Sequence, residues 1–174
     1  MTVKAANGEV VIEGRHYPPE APDTDLSGFE PNVEAIAEFE PDLVVVSNDI
    51  NDVVSSLEAL DIPVILQPAA EALEDTYAQV EQLGAATGHL AEAADLMASM
   101  RSEVERLLEE VPDFAEPPTY YHELDQTFFS VTSDTFIGQI YSLVGLENIA
   151  DRAKGGGPYP QLSAEFIIEA DPDL

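Results

Sequence analysis

The chain of 174 residues carries 35 Asp and Glu against 6 Lys and Arg, which gives a formal net charge of -29 at pH 7. A surface of this sign repels phosphate backbones and anionic lipids, which argues against nucleic-acid binding and against electrostatic association with membranes. Hydrophobic residues make up 45% of the chain, enough for a folded core, and the lack of cysteine excludes disulfides, thiol catalysis and thiolate metal sites.

The acidic residues run through the whole chain instead of forming one tail, and Lys4 and Lys154 are its two lysines. This pattern predicts a protein that stays soluble in concentrated salt, where self-repulsion is screened within a few ångströms. An acidic protein of ordinary salt tolerance is the alternative. No stretch approaches the roughly 18 apolar residues of a membrane span, and residues 1–14 lack a signal-peptide apolar region. We therefore expect a cytosolic protein, or one whose export signal is not in the numbered chain.

The first part of the chain predicts a small α/β unit. Residues 2–13 indicate a hairpin around Asn7-Gly8, and the proline-rich residues 16–31 indicate irregular chain. Short apolar runs, typical of strands buried on both faces, then alternate with helical patterns, as in a parallel sheet. These elements are helix 32–39 with Asn32 as its cap, strand 43–46, helix 51–60 and strand 62–66.

The middle of the chain predicts helices alone. One helix covers residues 73–83 and is interrupted near Gly84 and Gly88, and a second covers residues 89–111 over roughly 34 Å. The elements expected beyond it are a strand at 119–121, a segment 128–132 that pairs or loops back, a helix at 135–144 stopped by Gly145, a flexible loop at 154–158 and a helix from Gln161 onward.

An internal repeat connects the two ends of the chain. Residues 160–174 echo residues 31–43: each has a proline, a polar cap, a short apolar helix and then Pro-Asp-Leu. Glu34 and Glu165 precede the proline of this motif by the same interval. The pattern predicts two related helix–strand units on either side of the long helix, and hence a two-lobed, ligand-binding protein, because small-molecule sites favour inter-domain clefts.

Several motifs occur in an order and spacing that resemble the substrate-binding subunits of ABC importers for iron-siderophores and vitamin B12, the class III periplasmic binding proteins. They are Tyr17-Pro18-Pro19-Glu20-Ala21, residues 31–36 with 41–44, Ile62-Pro63-Val64, Phe136-Ile137-Gly138, residues 145–149, residues 159–163 and residues 171–174. The resemblance covers residues 16–174, and the acidic composition is similar to that of haloarchaeal members.

The resemblance implies an α/β fold with two Rossmann-like lobes joined by a long α-helix. Its boundaries would be residues 1–68 for the N-terminal lobe, 69–112 for the connecting helices and 113–174 for the C-terminal lobe. Both lobes would be incomplete, because the family has a βα unit where Arg15 here runs directly into His16, and because the second lobe stops at Leu174. We expect a monomer anchored at the outer cell surface, serving an ABC permease dimer and needing no cofactor.

The same resemblance assigns roles to individual residues. One glutamate on each lobe, here Glu34 and Glu165, is expected to dock onto arginines of the permease dimer, since two carboxylates on related lobes suit a two-fold partner. The alternative is that both only complement helix N-termini. Ligand-binding residues are expected in the loops that follow strands. They are Phe29, Ser47, Asn48 and Asp49 in the first lobe, and His122, Glu123, Phe128 and Tyr159 in the second.

Three readings of the function stand side by side. The first is a substrate-binding subunit, not an enzyme, that captures cobalamin or an iron-siderophore-type chelate. The second is a binder of free Zn or Mn ions, and the third is a metal-dependent hydrolase using His122, Glu123 and Asp125. These three side chains cannot all face one way on a strand, and His16 and His89 are remote in sequence, so no metal site is predicted. Gly155-Gly156-Gly157 precedes Pro158 and is a loop, not a phosphate cradle.

Overall fold

The computed structural model describes residues 4–6, 9–12, 15–17, 30–153 and 155–174, and the chain divides into two units, Met1–Pro68 and Ala69–Leu174. The two long helices belong to the second unit. Each unit holds parallel strands and helices, and the predicted α/β class is confirmed. None of the helices within these described ranges has both the length and the apolar character needed to cross a bilayer.

The N-terminal strands of the first unit form an antiparallel sheet of β1 (Lys4–Ala6), β2 (Glu9–Ile12) and β3 (Arg15–Tyr17) in that order. The predicted hairpin is confirmed by the pairing of β1 with β2, although Asn7-Gly8 itself lies outside the described residues. His16 and Tyr17, predicted as irregular chain, instead pair with the second edge of β2, and the rest of that prediction up to residue 29 lies outside the described residues. The second edge of β2 offers unpaired backbone N–H and C=O groups. Hydrogen bonds to these groups outweigh the weak preference of a three-residue stretch for irregular structure.

The parallel part of the first unit follows the predicted order. It consists of α1 (Val33–Ala37), β4 (Val44–Val46), α2 (Val53–Glu58) and β5 (Val64–Leu66), with Val45 opposite Ile65. The prediction that both strands are buried on both faces is wrong: Val45 is 47% exposed and Leu66 is 44% exposed. Within the described residues β4 and β5 pair only with each other, and α2 packs against β5, where it buries Val53, Leu57 and Ile65.

Helix α2 begins two residues later than the predicted start at Asn51. A 3₁₀ turn at Ile50–Asp52 precedes it, and Asn51 and Asp52 take left-handed φ angles of 58° and 55°. Asn and Asp tolerate this conformation better than other residues with a Cβ atom. The Oδ1 atom of Asp49 accepts a hydrogen bond of 2.9 Å from the N–H of Val54 and so satisfies one free donor of the first turn.

The second unit begins with a helical hairpin of α3 (Leu73–Thr87) and α4 (Leu90–Glu109). Helix α4 is about 30 Å long at 1.5 Å per residue. The predicted interruption near Gly84 is wrong, because α3 continues through Gly84 and ends at Gly88, whose φ is 74°. Gly84 faces Ala93 so closely that a Cβ atom there would overlap the alanine side chain. Gly84 therefore permits close helix packing, and of the two glycines Gly88 alone ends α3.

The remainder of the second unit contains β6 (Thr119–Tyr120), α5 (Phe136–Leu143), β7 (Glu147–Asn148) and α6 (Ala164–Ala170). Strands β6 and β7 are parallel, with Tyr120 opposite Asn148. Sequence patterns did not predict β7, since two residues are too few to show a periodicity. Its Asn148 is buried, and the side-chain Nδ2 donates to the carbonyl of Val131 over 2.8 Å. This bond ties β7 to the segment that leads into the candidate site.

Candidate functional site

The carboxyl end of β6 carries two of the predicted ligand-binding residues, His122 and Glu123. The Nδ1 atom of His122 lies 3.1 Å from the hydroxyl oxygen of Tyr141 on α5, and the ring of Tyr141 stacks on buried Tyr120 at 4.2 Å between centroids. Burial and the charge of Asp151 raise the pKa of Tyr120 to about 12, so this phenol stays neutral. The aromatic stack fixes the half-buried imidazole against α5.

Glu123 is exposed, in contrast to its neighbour His122. Its Oε2 atom accepts a hydrogen bond of 3.4 Å from the hydroxyl of Tyr121. Burial of the Tyr121 ring, and then the nearby charge of Glu123, raise the pKa of Tyr121. The carboxylate of Glu123 and the hydroxyl of Tyr121 thus offer polar contacts at the carboxyl end of β6. In the described part of the chain, neither group forms an ion pair with a cation.

The loop after Glu123 closes on itself. The N–H of Leu124 donates to the carbonyl of Phe129 over 2.8 Å, and the N–H of Phe128 donates to the carbonyl of Asp125 over 3.1 Å. The carboxylate of Asp125 accepts from the N–H and the hydroxyl of Thr127, which lowers the pKa of Asp125. Asp125 is therefore engaged in closing the loop. Across the described ranges, no group of three or more His, Asp and Glu side chains is placed to hold a metal ion.

An antiparallel ribbon joins the segment that carries Phe128 to the segment that carries Tyr159, within one unit. The N–H of Ser130 donates to the carbonyl of Pro160 and that of Leu162 to the carbonyl of Phe128, which places Phe129 opposite Gln161. The sequence left open whether residues 128–132 pair or loop back, and they pair. Pro160 has no N–H to donate, so the ribbon remains short.

Phe128 has a φ of 63°, in the left-handed region that a bulky aromatic residue rarely adopts. Such a conformation persists only where the surrounding structure determines it, and it is concentrated at functional sites. Here the hydrogen bonds of the closed loop and the ribbon hold the backbone on both sides of Phe128. The side chain remains 36% exposed, so the strained backbone presents an aromatic ring to solvent.

The loop and the ribbon expose further apolar side chains besides Phe128. Tyr159 is 53% exposed, and Leu124 and Phe129 are also exposed. The sequence prediction omitted Leu124 and Phe129. Leu124 and Phe129 come together only when the loop between them closes. The sequence of this loop carries no signal for closure beyond Asp125 and Thr127, which hydrogen-bond to each other. Aromatic and aliphatic groups beside the carboxylate of Glu123 and the imidazole of His122 suit a large, partly apolar ligand with polar edges.

The first unit places its predicted ligand-binding residues directly after β4. The side-chain amide of Asn48 donates to Ser47 Oγ over 3.2 Å, and its Oδ1 accepts from the N–H of Ile50. Asp49 caps α2 through one carboxylate oxygen, as described above. Ser47 and Asn48 thus turn the chain from strand to helix, and all three residues are exposed. Phe29 lies outside the described residues.

The two predicted docking carboxylates occupy the same position in two capped helices. The Oδ1 atom of Asn32 accepts from the N–H of Ala35, and Oγ of Ser163 accepts from the N–H of Phe166, at 3.0 and 3.1 Å. Glu34 and Glu165 are each the second residue of the helix that follows, and both are exposed. The two local structures match, as the internal repeat predicts.

The last residues of the second copy hydrogen-bond to β6, where the sequence predicts a strand, although no strand forms within residues 171–174. The N–H of Leu174 donates to the carbonyl of Thr119 and the carbonyl of Leu174 accepts from Tyr121, which is the bonding pattern of a parallel neighbour of β6. The carboxylate of Asp173 accepts from the N–H of Thr119 over 2.8 Å, and this bond lowers the pKa of Asp173. The last residue of the given chain is therefore already paired with the sheet.

Comparison with known proteins gives a consistent set of relatives. The family model described as "Periplasmic binding protein" matches residues 13–174. A cobalamin-binding protein of Halobacterium salinarum is 35% identical over 167 residues, which is 92% of this chain and 45% of that protein. An ABC transporter substrate-binding lipoprotein of Bacillus subtilis is 25% identical over 166 residues, covering 90% of this chain and 52% of that protein. The chain thus spans about half the length of these curated relatives.

Solved structures of similar fold are found as well. The crystal structure of a possible iron-binding, periplasmic solute-binding protein from Staphylococcus epidermidis superimposes with a TM-score of 0.71 at 21% identity. The match covers 86% of this chain and 59% of that one. At this identity the similarity establishes the fold.

Proposed function

This chain belongs to the periplasmic binding protein family, and we propose that it is the ligand-binding part of an ABC importer's substrate-binding subunit. Its role is to capture cobalamin or an iron-siderophore-type chelate outside the cell and to deliver it to the permease. It binds its ligand without transforming it. The observation that carries the proposal is the repeated helix–strand unit, with Glu34 and Glu165 exposed at the same turn of two capped helices.

The ligand class follows from the strand-end residues and from the relatives. Phe128, Phe129 and Tyr159 offer exposed aromatic surface, which suits the face of a large ring or a chelate, while His122 and Glu123 offer polar contacts. Ser47, Asn48 and Phe29 of the first unit stay predicted ligand contacts. Cobalamin is the first candidate because the Halobacterium relative is a cobalamin-binding protein.

A ligand titration tests this proposal. The full-length protein is titrated in concentrated KCl with cyanocobalamin, ferric siderophores, haem, Zn²⁺ and Mn²⁺, and binding is followed by calorimetry. Saturable one-to-one binding of a corrinoid or an iron chelate supports the proposal. Failure of every corrinoid and chelate, or tight binding of the free metal ions alone, contradicts it.

The permease is the proposed partner, and Glu34 and Glu165 are the proposed docking residues. Both carboxylates are exposed, and in the described part of the chain neither has a hydrogen-bond or ion-pair partner. Two such charges on related units suit a two-fold symmetric, basic surface. The Bacillus relative, which is an ABC transporter substrate-binding lipoprotein, supports this partner and an anchored location at the cell surface.

Charge reversal separates docking from ligand capture. Glu34→Lys and Glu165→Lys are expected to weaken binding to the purified permease–ATPase complex and to leave ligand affinity unchanged. Glu58→Lys, on the exposed last residue of α2, is the matched control and is expected to change neither. Loss of ligand affinity in the Glu34 or Glu165 variants would assign these residues to the ligand site and contradict the docking role.

A further inference from the structure

One helix of the second unit exposes a large apolar side chain beside its candidate docking carboxylate. Ile168 on α6 is 77% exposed, more than any other large apolar side chain of the described residues. It lies three residues after Glu165 and next to Glu169, so all three share one helix face. The other side of α6 carries Phe166 and Ile167, which are partly buried. Within the described residues, the packing of α6 thus leaves Ile168 exposed.

The repeat gives an internal comparison for this face. In the first copy the positions of Glu165 and Glu169 are held by Glu34 and by Glu38, the C-cap of α1, and the position of Ile168 is held by Ala37. All four glutamates are exposed. The two helices thus share the spacing of the carboxylates and differ in the apolar side chain between them.

The described residues supply no cation to these carboxylates. Each arginine of the described side chains is already in an ion pair within its unit: Arg101 with Glu74, Arg106 with Glu103 and Glu110, and Arg152 with Glu147. In that same part of the chain, none of the four glutamates on α1 and α6 has a hydrogen-bond or ion-pair partner. A partner that fits this face is therefore basic, with an apolar depression that accepts one aliphatic side chain.

We propose that Ile168, flanked by Glu165 and Glu169, is an apolar contact that docks α6 onto the basic surface of the permease, and that the second unit consequently contributes more to docking than the first. This rests on the proposed function. Salt screens exposed charge pairs, with a Debye length of about 3 Å at 1 M, whereas burial of an apolar side chain is not weakened by salt. In concentrated salt the Ile168 contact should therefore carry a larger share of the affinity than the carboxylates do.

The test measures binding of the full-length protein to the permease–ATPase complex in lipid nanodiscs at 0.15 M and 2 M KCl. Ile168→Ser is expected to raise the Kd about ten-fold at both salt concentrations, as loss of a well-packed interface residue does. Ile168→Ala keeps helix propensity and should have a similar effect. Ala37→Ser, at the equivalent position of α1, is the matched control and should change the Kd less than about two-fold. The effect of Glu165→Gln should shrink at 2 M KCl.

Two results would overturn the proposal. In the first, both Ile168 variants bind the permease as well as wild type does, while Glu165→Lys still weakens binding. This result would contradict the apolar contact and leave carboxylate docking intact. The Tm of the full-length protein is also measured in the absence of the permease–ATPase complex. A Tm of Ile168→Ala several degrees below that of wild type would indicate that another part of the full-length protein covers this side chain. If Glu34→Lys and Glu165→Lys also bind normally, the docking part of the proposed function fails with it.

Discussion

Glu40 and Asp171 adopt the same left-handed backbone conformation, with φ angles of 47° and 43°, at equivalent points of the two repeat copies. Asp171 is the C-cap of α6, Glu40 follows the turn after α1, and each residue precedes Pro-Asp-Leu. Neither is a glycine, so each pays the strain that a side chain meets in this region. Agreement of two strained residues at matching positions is stronger evidence for a true repeat than the letters of the sequence alone.

Asp173 is expected to make the second unit sensitive to acid. The hydrogen bonds from Thr119 lower the pKa of Asp173 below its usual value of 3.8 in the folded state, so the ionised carboxylate stabilises the fold above that pH. This contribution is lost as the pH falls through the folded-state pKa. Asp173→Asn should therefore lower the free energy of unfolding at pH 7, and the difference from wild type should shrink as the pH falls below about 4.

Asp42, the counterpart of Asp173 in the first copy, provides the control. Asp42→Asn should give a much smaller difference at pH 7, because no hydrogen bond to this carboxylate is found among the described residues. Urea unfolding followed by circular dichroism across this pH range measures both variants. A penalty for Asp173→Asn that is equal at every pH would mean that its role is not electrostatic.

Gly84→Ala is expected to destabilise the helical hairpin of α3 and α4. Alanine favours helix by about 1 kcal/mol over glycine, but the added methyl group would overlap the side chain of Ala93. Overpacking of this kind costs about 1–3 kcal/mol, so the net effect should be a lower free energy of unfolding. Ala85→Gly, at the exposed next position of α3, should cost only the helix propensity. A more stable Gly84→Ala variant would refute close packing at this point.

Phe128→Ala is expected to weaken ligand binding by about ten-fold or more, because an aromatic ring held rigidly at a site contributes a large share of affinity. Tyr159→Ala should act in the same direction. Phe114→Ala is the matched control. The side chain of Phe114 is about as exposed as that of Phe128, but it lies beside Gly145, which precedes β7, and not in the loop after β6. It should leave the Kd within about two-fold of wild type, and an equal loss in all three variants would argue against a defined aromatic site.

Stability is expected to rise with salt concentration. The net charge is -29, and the arginines of the described side chains are already paired, so most carboxylates repel one another. Raising KCl from 0.1 M to 1 M shortens the Debye length from about 10 Å to about 3 Å and screens this repulsion. Thermal unfolding should therefore show a higher Tm in the more concentrated salt. An unchanged or lower Tm would contradict the prediction of a salt-adapted protein.

Regular local patterns let the sequence predict most elements. The Asn32 cap, the apolar run that forms β4 and the long periodic stripe of α4 each have a clear signal, and each is found where it is expected. The start of α2 was wrong because Asn51 and Asp52 fit a helical periodicity but adopt left-handed angles. The exposure of Val45 could not be predicted, since it depends on which strands and helices cover β4 and not on β4 itself.

The candidate site was predictable in part. Strand ends predict Ser47 and Asn48 in the first unit and His122 and Glu123 in the second, because loops after parallel strands lie at one edge of their own sheet. The contact of His122 with Tyr141 joins residues 19 positions apart and depends on how α5 packs. Phe129 and Leu124 were missed because their contact also depends on folding beyond the local sequence. The carbonyl of Phe129 accepts from the N–H of Leu124 only once the loop has closed.

ATP-dependent uptake in a reconstituted system tests the central claim most directly. The permease–ATPase complex is placed in proteoliposomes, and uptake of radiolabelled cyanocobalamin, or of whichever iron chelate binds in the titration, is measured with and without the full-length protein. Uptake that requires both ATP and the protein, and that falls when Glu34 and Glu165 are both replaced by lysine, is the predicted result. Uptake that proceeds equally well without the protein would contradict its role as the substrate-binding subunit.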